Sequence, residues 1–520
     1  MRQSQSSPGS EARKAALVFA VATLVLAFSW LLGLSLRVNI FTVNIEAIRV
    51  AGIRRVIDGT TGTFAGFCLL FVLITAMYLL AAYALRKEFH RSFALAIGGC
   101  VVAALGVLPQ MPIASPDTVH FAADVRTLWI HGVYPATKRG APQRQDDPVA
   151  KQVLTYRDQP STYGPVAYVI GGLPIPVAGE SLRAGVVGQK MLSGALLVVL
   201  AFLTGLVARK IGRNASQAAV LVGLNPLFLL EFTGDGHNDA LMVAFAMAAL
   251  LFVVSVRWRD RGLGAGLAVL SLLSKFSLGL AAPIVLAAWF PRWRIPLAVG
   301  TVVLGILALI VLLGRGGSSP LVGLTENTPY VMINQWFIES RDSRRLLVAA
   351  AYMGIAVTSA LIMVRHPLRE PRDIVAAVGL QLALFVFFFS PTLRHWYQLW
   401  AFPFAILCGR RWLTAGALAF SCGALYPILV RNWVLDIQNE WGIGAPKEWS
   451  IALLWLATIA VAATVWMIDR NGGVRESSAS RAGRRRGRPQ TPPVQPGRRQ
   501  KPRRGRAGAR VALPGRGELS

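Results

Sequence analysis

The chain has 520 residues, of which 54% are hydrophobic and only 15% charged. A soluble domain carries charge on roughly a quarter of its residues, so this composition excludes an ordinary soluble enzyme and points to an all-α protein that crosses a membrane many times. The formal net charge of +29 does not imply a nucleic-acid partner, because much of the excess lies in the segment 469–520.

Residues 1–14 read as a cytoplasmic N-terminus closed by the basic cluster EARK, and residues 15–468 as a multi-pass membrane domain. The first apolar run, from Ala15, is too long for a signal-peptide core and is followed by no clear small-residue cleavage site, so it is read as a membrane helix. Further spans are expected near 62–85, 93–113, 186–208, 215–232, 238–256, 295–314, 344–366, 372–390, 395–409, 411–430 and 450–468. Basic clusters at 86–91, 208–213, 257–261, 291–294, 365–372 and 409–411 mark the cytoplasmic side, since Lys and Arg concentrate there. The run 262–290 has basic clusters at both ends and is therefore expected to cross twice, as broken helices turning near Lys275. The total becomes about fourteen transmembrane helices with both termini inside.

This topology leaves large outer loops at 115–185 and 315–343, and shorter outer segments at 233–237 and 391–395. Within the first loop, 161–180 is apolar but interrupted by Gly and Pro, and reads as a re-entrant or interfacial element. The tail 469–520 is rich in Arg and Pro and poor in apolar residues, so it is expected to be disordered and to touch anionic membrane lipids. The four cysteines, Cys68, Cys100, Cys408 and Cys422, sit in apolar runs without metal or disulfide spacing.

Titratable residues gather on the outer side. Ser115 and Pro116 form a helix start, after which Asp117, His120 and Asp124 share one helical face. The acids there either complement the helix dipole or serve chemistry. At 231–239, EFTGDGHND combines Glu231, Asp235, His237, Asn238 and Asp239 with Gly234 and Gly236 for a tight turn. Helix capping accounts for Asn238 and Asp239, but not for His237 beside two further acids near the bilayer. No strong metal motif is present and no metal is expected. A third patch, Arg394 and His395 followed by Trp396, Tyr397 and Trp400, combines a cationic pair with aromatics that suit either an interfacial belt or a sugar face. Lys275 adds a further positive charge suited to phosphate.

In their order and common sidedness, Asp117, GVYPA, TYGP (162–165), NPLFLLEFTGDGHNDALMV (225–243), SKFS (274–277) and SPTLRHWYQLWAFPF (390–404) resemble the GT-C glycosyltransferases that use polyprenyl-phosphate sugars. The closest resemblance is to the actinobacterial α-1,6-mannosyltransferases of lipomannan and lipoarabinomannan assembly. In this chain the second loop acid, Asp124, stands two helical turns from Asp117. The resemblance implies a plasma-membrane enzyme whose active site faces outward, passing mannose from a polyprenyl-phosphate sugar donor to a glycolipid or polysaccharide acceptor, with no cofactor and no nucleic acid. It assigns Asp117 as general base. Asp124, His237, Asn238, Asp239, Lys275, Arg394, His395, Trp396 and Tyr397 are expected to bind substrate. A lipid or ion-coupled transporter is the rival reading, since broken helices suit that class; the clustering of charge at the outer rim favours the enzyme.

Overall fold

Runs of Ala, Leu and Val satisfy their own backbone hydrogen bonds only as helices in an apolar medium, and every element of regular structure among the described residues is helical. The computed structural model describes residues 8–35, 61–112, 115, 117–135, 147–153, 163–255, 257–314, 341–390, 394–428 and 451–470. The chain divides into a main unit, Met1–Trp466, and a remainder, Met467–Ser520. Nearly all of the expected outer loop 315–343, and the tail from 471 onward, lie outside the described residues.

The helices are α1 (Pro8–Trp30), α2 (Thr61–Ala84), α3 (Ser92–Val107), α4 (Asp117–His131), α5 (Pro165–Gly171), α6 (Leu182–Lys210), α7 (Ala215–Gly223) and α8 (Asp239–Val253). They continue as α9 (Trp258–Ser274), α10 (Ala282–Trp289), α11 (Arg294–Gly314), α12 (Arg341–Arg365), α13 (Pro371–Leu384), α14 (Phe402–Leu407), α15 (Arg411–Gly423) and α16 (Ile451–Arg470). Most expected spans are present as helices, and α1 begins seven residues earlier than the expected Ala15, at Pro8.

Far fewer than fourteen of them are long enough to cross a bilayer. Five described helices are long and apolar enough, or up to seven if two bent pairs each count as one span. Several of the described helices fall short of that length. Helices α3 and α8 have 16 and 15 residues, about 22–24 Å at 1.5 Å per residue, short of a roughly 30 Å hydrocarbon core. The expected span 395–409 is a 3₁₀ turn, His395–Trp400, followed by the six-residue α14, and α14 is buried throughout. Apolar content there reflects burial in protein, which a hydropathy window does not distinguish from burial in lipid.

Two breaks shape the site. Asn225 precedes Pro226, and a residue before proline is pushed out of the helical region. Asn225 adopts ψ 121°, its side chain accepts from the N–H groups of Leu227 and Phe228, and its amide donates to Ser421 Oγ at 3.0 Å. The helix resumes bent by 46° and widens into a π-helical turn, Leu229–Gly234. The second break falls at Lys275, as the sequence leads one to expect. Its extended backbone (φ −161°, ψ 134°) separates α9 from a 3₁₀ segment, Phe276–Ala281.

The stretch 163–179 is two short helices, α5 and Ile175–Ala178, neither long enough to span. Helix α5 packs against α9 and α4. Gly164 makes the approach to α9 possible: its N–H donates to the Ser274 carbonyl at 2.9 Å, and a Cβ there would lie 2.0 Å from the Leu273 carbonyl oxygen. Gly164→Ala should therefore lower the thermal unfolding midpoint in detergent, at a cost of about 1–3 kcal/mol. Gly266→Ala on α9, where a Cβ meets nothing within 4 Å, should leave it unchanged or slightly raised.

Candidate active site

The bend at Asn225 and the π-helical turn after it deliver Glu231, Asp235 and His237 to the start of α8, where Gly236 turns the chain with φ 75°. Asp239 follows as the first residue of α8 and is only 1% exposed. Its Oδ1 accepts from Lys275 Nζ at 2.7 Å and from Trp400 Nε1 at 2.9 Å, while Oδ2 makes no hydrogen bond. The lysine expected to supply positive charge for phosphate is thus half of an ion pair. Its ammonium also lies 4.9 Å from the ring centroids of Tyr163 and Trp400 and 5.0 Å from that of Tyr397, within cation–π range of all three.

Asp117 opens α4. Ser115 is its cap as expected, accepting the Asp117 N–H on Oγ at 3.2 Å; Pro116 lies outside the described residues. The half-buried Asp117 carboxylate acts electrostatically on Tyr163, His237, Lys275 and Tyr397, so it belongs to the same site as the α8 start. Asp235 holds it there. Its Oδ2 accepts the Ser115 N–H at 3.0 Å, and its backbone carbonyl accepts the Thr118 hydroxyl, so the residues on both sides of Asp117 are bound to one residue.

The far end of α4 is tied by Asp147. Arg126 donates Nε to both of its oxygens at 3.1 Å, His131 Nε2 lies 3.1 Å from Oδ2, and the N–H groups of Val149 and Ala150 donate to Oδ1 at 2.8 Å. Burial alone would raise the Asp147 carboxyl. The Arg126 guanidinium, the Ala150 N–H, His131 and the Val149 N–H outweigh it and hold the group at about 2.

The remaining expected site residues are distributed as follows. His237 stacks on Trp396, with ring centroids 4.0 Å apart and planes 19° apart, and its Nε2 lies 3.3 Å from Glu231 Oε2. Asn238 occupies the cap position of α8 without making a cap bond, and its amide makes no hydrogen bond. The capping role expected for it is therefore not the one it plays. Tyr397 stacks on Trp400 at 3.9 Å. Trp396 and Trp400 are buried against site residues, so they do not form an interfacial belt. Arg394, half-buried, acts electrostatically on Tyr397. The side chain of His395 lies outside the described residues. Asp124 is wholly buried in a pair with His120 at 3.3 Å, two turns along α4 from Asp117.

Tyr163, Glu231, Asp235 and Trp400 stand in stretches that the sequence marks without giving them a binding role, and Lys190 is not marked at all. Lys190, wholly buried on α6, donates to the carbonyls of Leu108 and Gln110 at the end of α3 and acts electrostatically on Asp235. Nothing in the apolar run around it marks it as part of this site. Among the described residues, Glu231, Asp235 and His237 form the one group able to hold a metal ion, each offering a ligand atom within 4.8 Å of the others.

A sequence model described as "Alpha-(1->6)-mannopyranosyltransferase, N-terminal domain" matches residues 15–291. The chain is 26% identical over 363 residues to Alpha-(1->6)-mannopyranosyltransferase B of Corynebacterium glutamicum, covering 59% of this chain and 58% of that protein. It is 25% identical over 402 residues to Alpha-(1->6)-mannopyranosyltransferase A of Mycobacterium tuberculosis, covering 70% and 74% respectively. The match thus spans less than two thirds of the first relative's length. No solved structure matches the chain. Asp117, the 231–239 turn and Lys275 fall inside the family match, and the aromatic segment 394–400 falls beyond it.

Removing the Asp235 side chain should loosen the start of α4. In Asp235→Ala, amide hydrogen exchange across 115–120 should quicken while exchange in α1 stays as in the wild type. Asp147 generates a pH effect at the other end. Its folded-state pKa of about 2 lies below the ordinary aspartate value of 3.8, so its stabilisation is complete above about pH 4 and is lost as pH falls through 2. At neutral pH the contribution is about 1 kcal/mol after solvent screening. The gap in unfolding midpoint between wild type and Asp147→Asn should be present at pH 7 and narrow steadily below pH 4.

Proposed function

The chain belongs to the α-(1→6)-mannopyranosyltransferase family, and from that premise we propose that it transfers mannose from a polyprenyl-phosphate donor to a hydroxyl of a glycolipid or polysaccharide acceptor. On this reading the site opens to the extracytoplasmic face of the plasma membrane. The observation that carries the reading is the meeting of Asp117 with the Asp239–Lys275 pair inside a wall of Tyr163, Tyr397 and Trp400. An acid able to take a proton, a cation beside it and aromatic faces for a sugar ring are what glycosyl transfer from a phosphate requires.

In the reaction, Asp117 accepts the proton of the acceptor hydroxyl as that oxygen bonds to the anomeric carbon of mannose. The bond from the anomeric carbon to the phosphate oxygen breaks with its electron pair, and polyprenyl phosphate departs. Attack opposite the leaving group inverts the anomeric centre, so a β-linked donor yields an α-linked product. Phosphate leaves as a stable anion and needs no strong general acid. Lys275 and Arg394 balance the charge that gathers on it. Asp239, itself held by the Trp400 N–H, keeps the ammonium in place before substrate arrives, so little reorganisation is needed when charge develops. Tyr397, half-buried and backed by Trp400, offers a flat apolar surface to a pyranose ring, while Trp396 is buried beneath it against His237.

Membranes carrying the protein, supplied with polyprenyl-phospho-[14C]mannose and an acceptor lipid extract, test this directly. Asp117→Asn should reduce label incorporation about 10²–10⁴-fold at unchanged protein level. Lys275→Met should lose both activity and stability, because it strands the buried Asp239 carboxylate. Label that crosses the bilayer without forming a glycosidic bond, or full incorporation by Asp117→Asn, would overturn the reading.

A further inference from the structure

We propose that Glu231, Asp235 and His237 form a binding site for one divalent first-row metal ion, of the Mn²⁺ or Zn²⁺ type, which pins the 231–239 turn against the start of α4. This goes beyond the glycosyl-transfer reading and does not depend on which sugar or acceptor is used.

The placement comes from backbone geometry. The π-helical turn Leu229–Gly234 and the left-handed Gly236 bring residues 231, 235 and 237 to one point, where one ligand atom from each lies within 4.8 Å of the others. All three are buried, at 0%, 0% and 2% exposure. Burial of two carboxylates with an imidazole is costly unless a cation balances them.

A second observation concerns the imidazole alone. His237 Nε2 lies 3.3 Å from Glu231 Oε2 and pairs with it, while Nδ1 of this buried histidine makes no hydrogen bond. Two atoms this far apart that both point at a shared ion about 2.0–2.2 Å from each would subtend about 100°, between octahedral and tetrahedral angles. A separation of this size is one that two ligands of one metal show.

The surroundings fit such an ion. Stacking on Trp396 fixes the imidazole plane, the Ser115 N–H orients the Asp235 carboxylate, and the Ser193 hydroxyl donates to the His237 carbonyl. Such orienting contacts around ligands set metal affinity. The Gln110 amide, wholly buried and without a hydrogen bond, packs against Gly234 in the same turn. One nitrogen and two carboxylates suit Mn²⁺ or Zn²⁺ better than Ca²⁺, which takes oxygen ligands alone. Lys190 is the nearby cation, and its ammonium is engaged by the Leu108 and Gln110 carbonyls. Through Asp235, the ion would hold the residues flanking Asp117, so its role is positional and no reacting atom needs to touch it.

The test uses the full chain, purified in detergent by a non-metal affinity tag. Elemental analysis should find about one Mn or Zn per chain. EDTA should remove it and lower the unfolding midpoint, and added Mn²⁺ or Zn²⁺ should restore both. In Glu231→Gln/His237→Ala the metal content should fall at least tenfold while that of His131→Ala, outside the cluster, does not. Should the double variant fail to fold, the EDTA and add-back measurements on the wild type decide alone. Metal-free protein whose midpoint is unmoved by EDTA or by either ion, or equal metal content in wild type and folded double variant, would overturn the proposal. Metal content and midpoint are read without any mannosyl transfer, so this idea and the glycosyl-transfer reading fail separately.

Discussion

A lysine at a helix break, deep in an apolar protein, needs a carboxylate, and the Lys275–Asp239 pair at 2.7 Å organises everything around it. An unpaired ammonium in such surroundings costs several kcal/mol. Because Asp239 begins α8 and Lys275 follows the end of α9, their pairing sets those two helices in register. Trp400 shares the same carboxylate oxygen and so brings in the 394–400 segment. Tyr163, beside the ammonium, brings in the start of α5. Segments far apart along the chain therefore converge on one charge, and the bonds that make the fold possible also build the site.

Helix α4 is held by the same logic at its two ends. Asp235 binds the backbone before Asp117 and the side chain after it, and Asp147 gathers Arg126, His131 and two N–H groups at the other end. Most acids of the site are thus occupied with structure. Asp117 stands apart as the half-buried one, on a helix whose position is fixed by other carboxylates. Pre-set geometry of this kind is what makes proton transfer at a stated atom efficient.

The helical class, most helix bounds, the break at Lys275 and the turn at 231–239 were legible, because each is written in local chemistry. Apolar runs specify helices, and a lone Lys between two apolar runs marks a discontinuity, whereas the bend at Asn225-Pro226 inside the expected span 215–232 came only with the structure. The number of crossings is not read from hydropathy alone, because α8 and α14 are apolar against protein neighbours and hydropathy does not say which medium surrounds a helix. Aromatic residues posed the same ambiguity: Trp396 and Trp400 read equally as interface anchors or site walls until their partners were seen. Asn238 misled in the other direction, having the residue type of a cap without the bond.

The sequence by itself determined that this is a helical membrane protein and which short segments carry its titratable chemistry, since both follow from composition and spacing along the chain. Only the tertiary structure decided how those charges pair. Lys275 is neutralised by Asp239, Asp124 is spent on His120, and Asp235 holds the loop that carries Asp117. Pairing depends on distances across the fold, which fall off within a few ångströms and have no counterpart in separations counted along the chain.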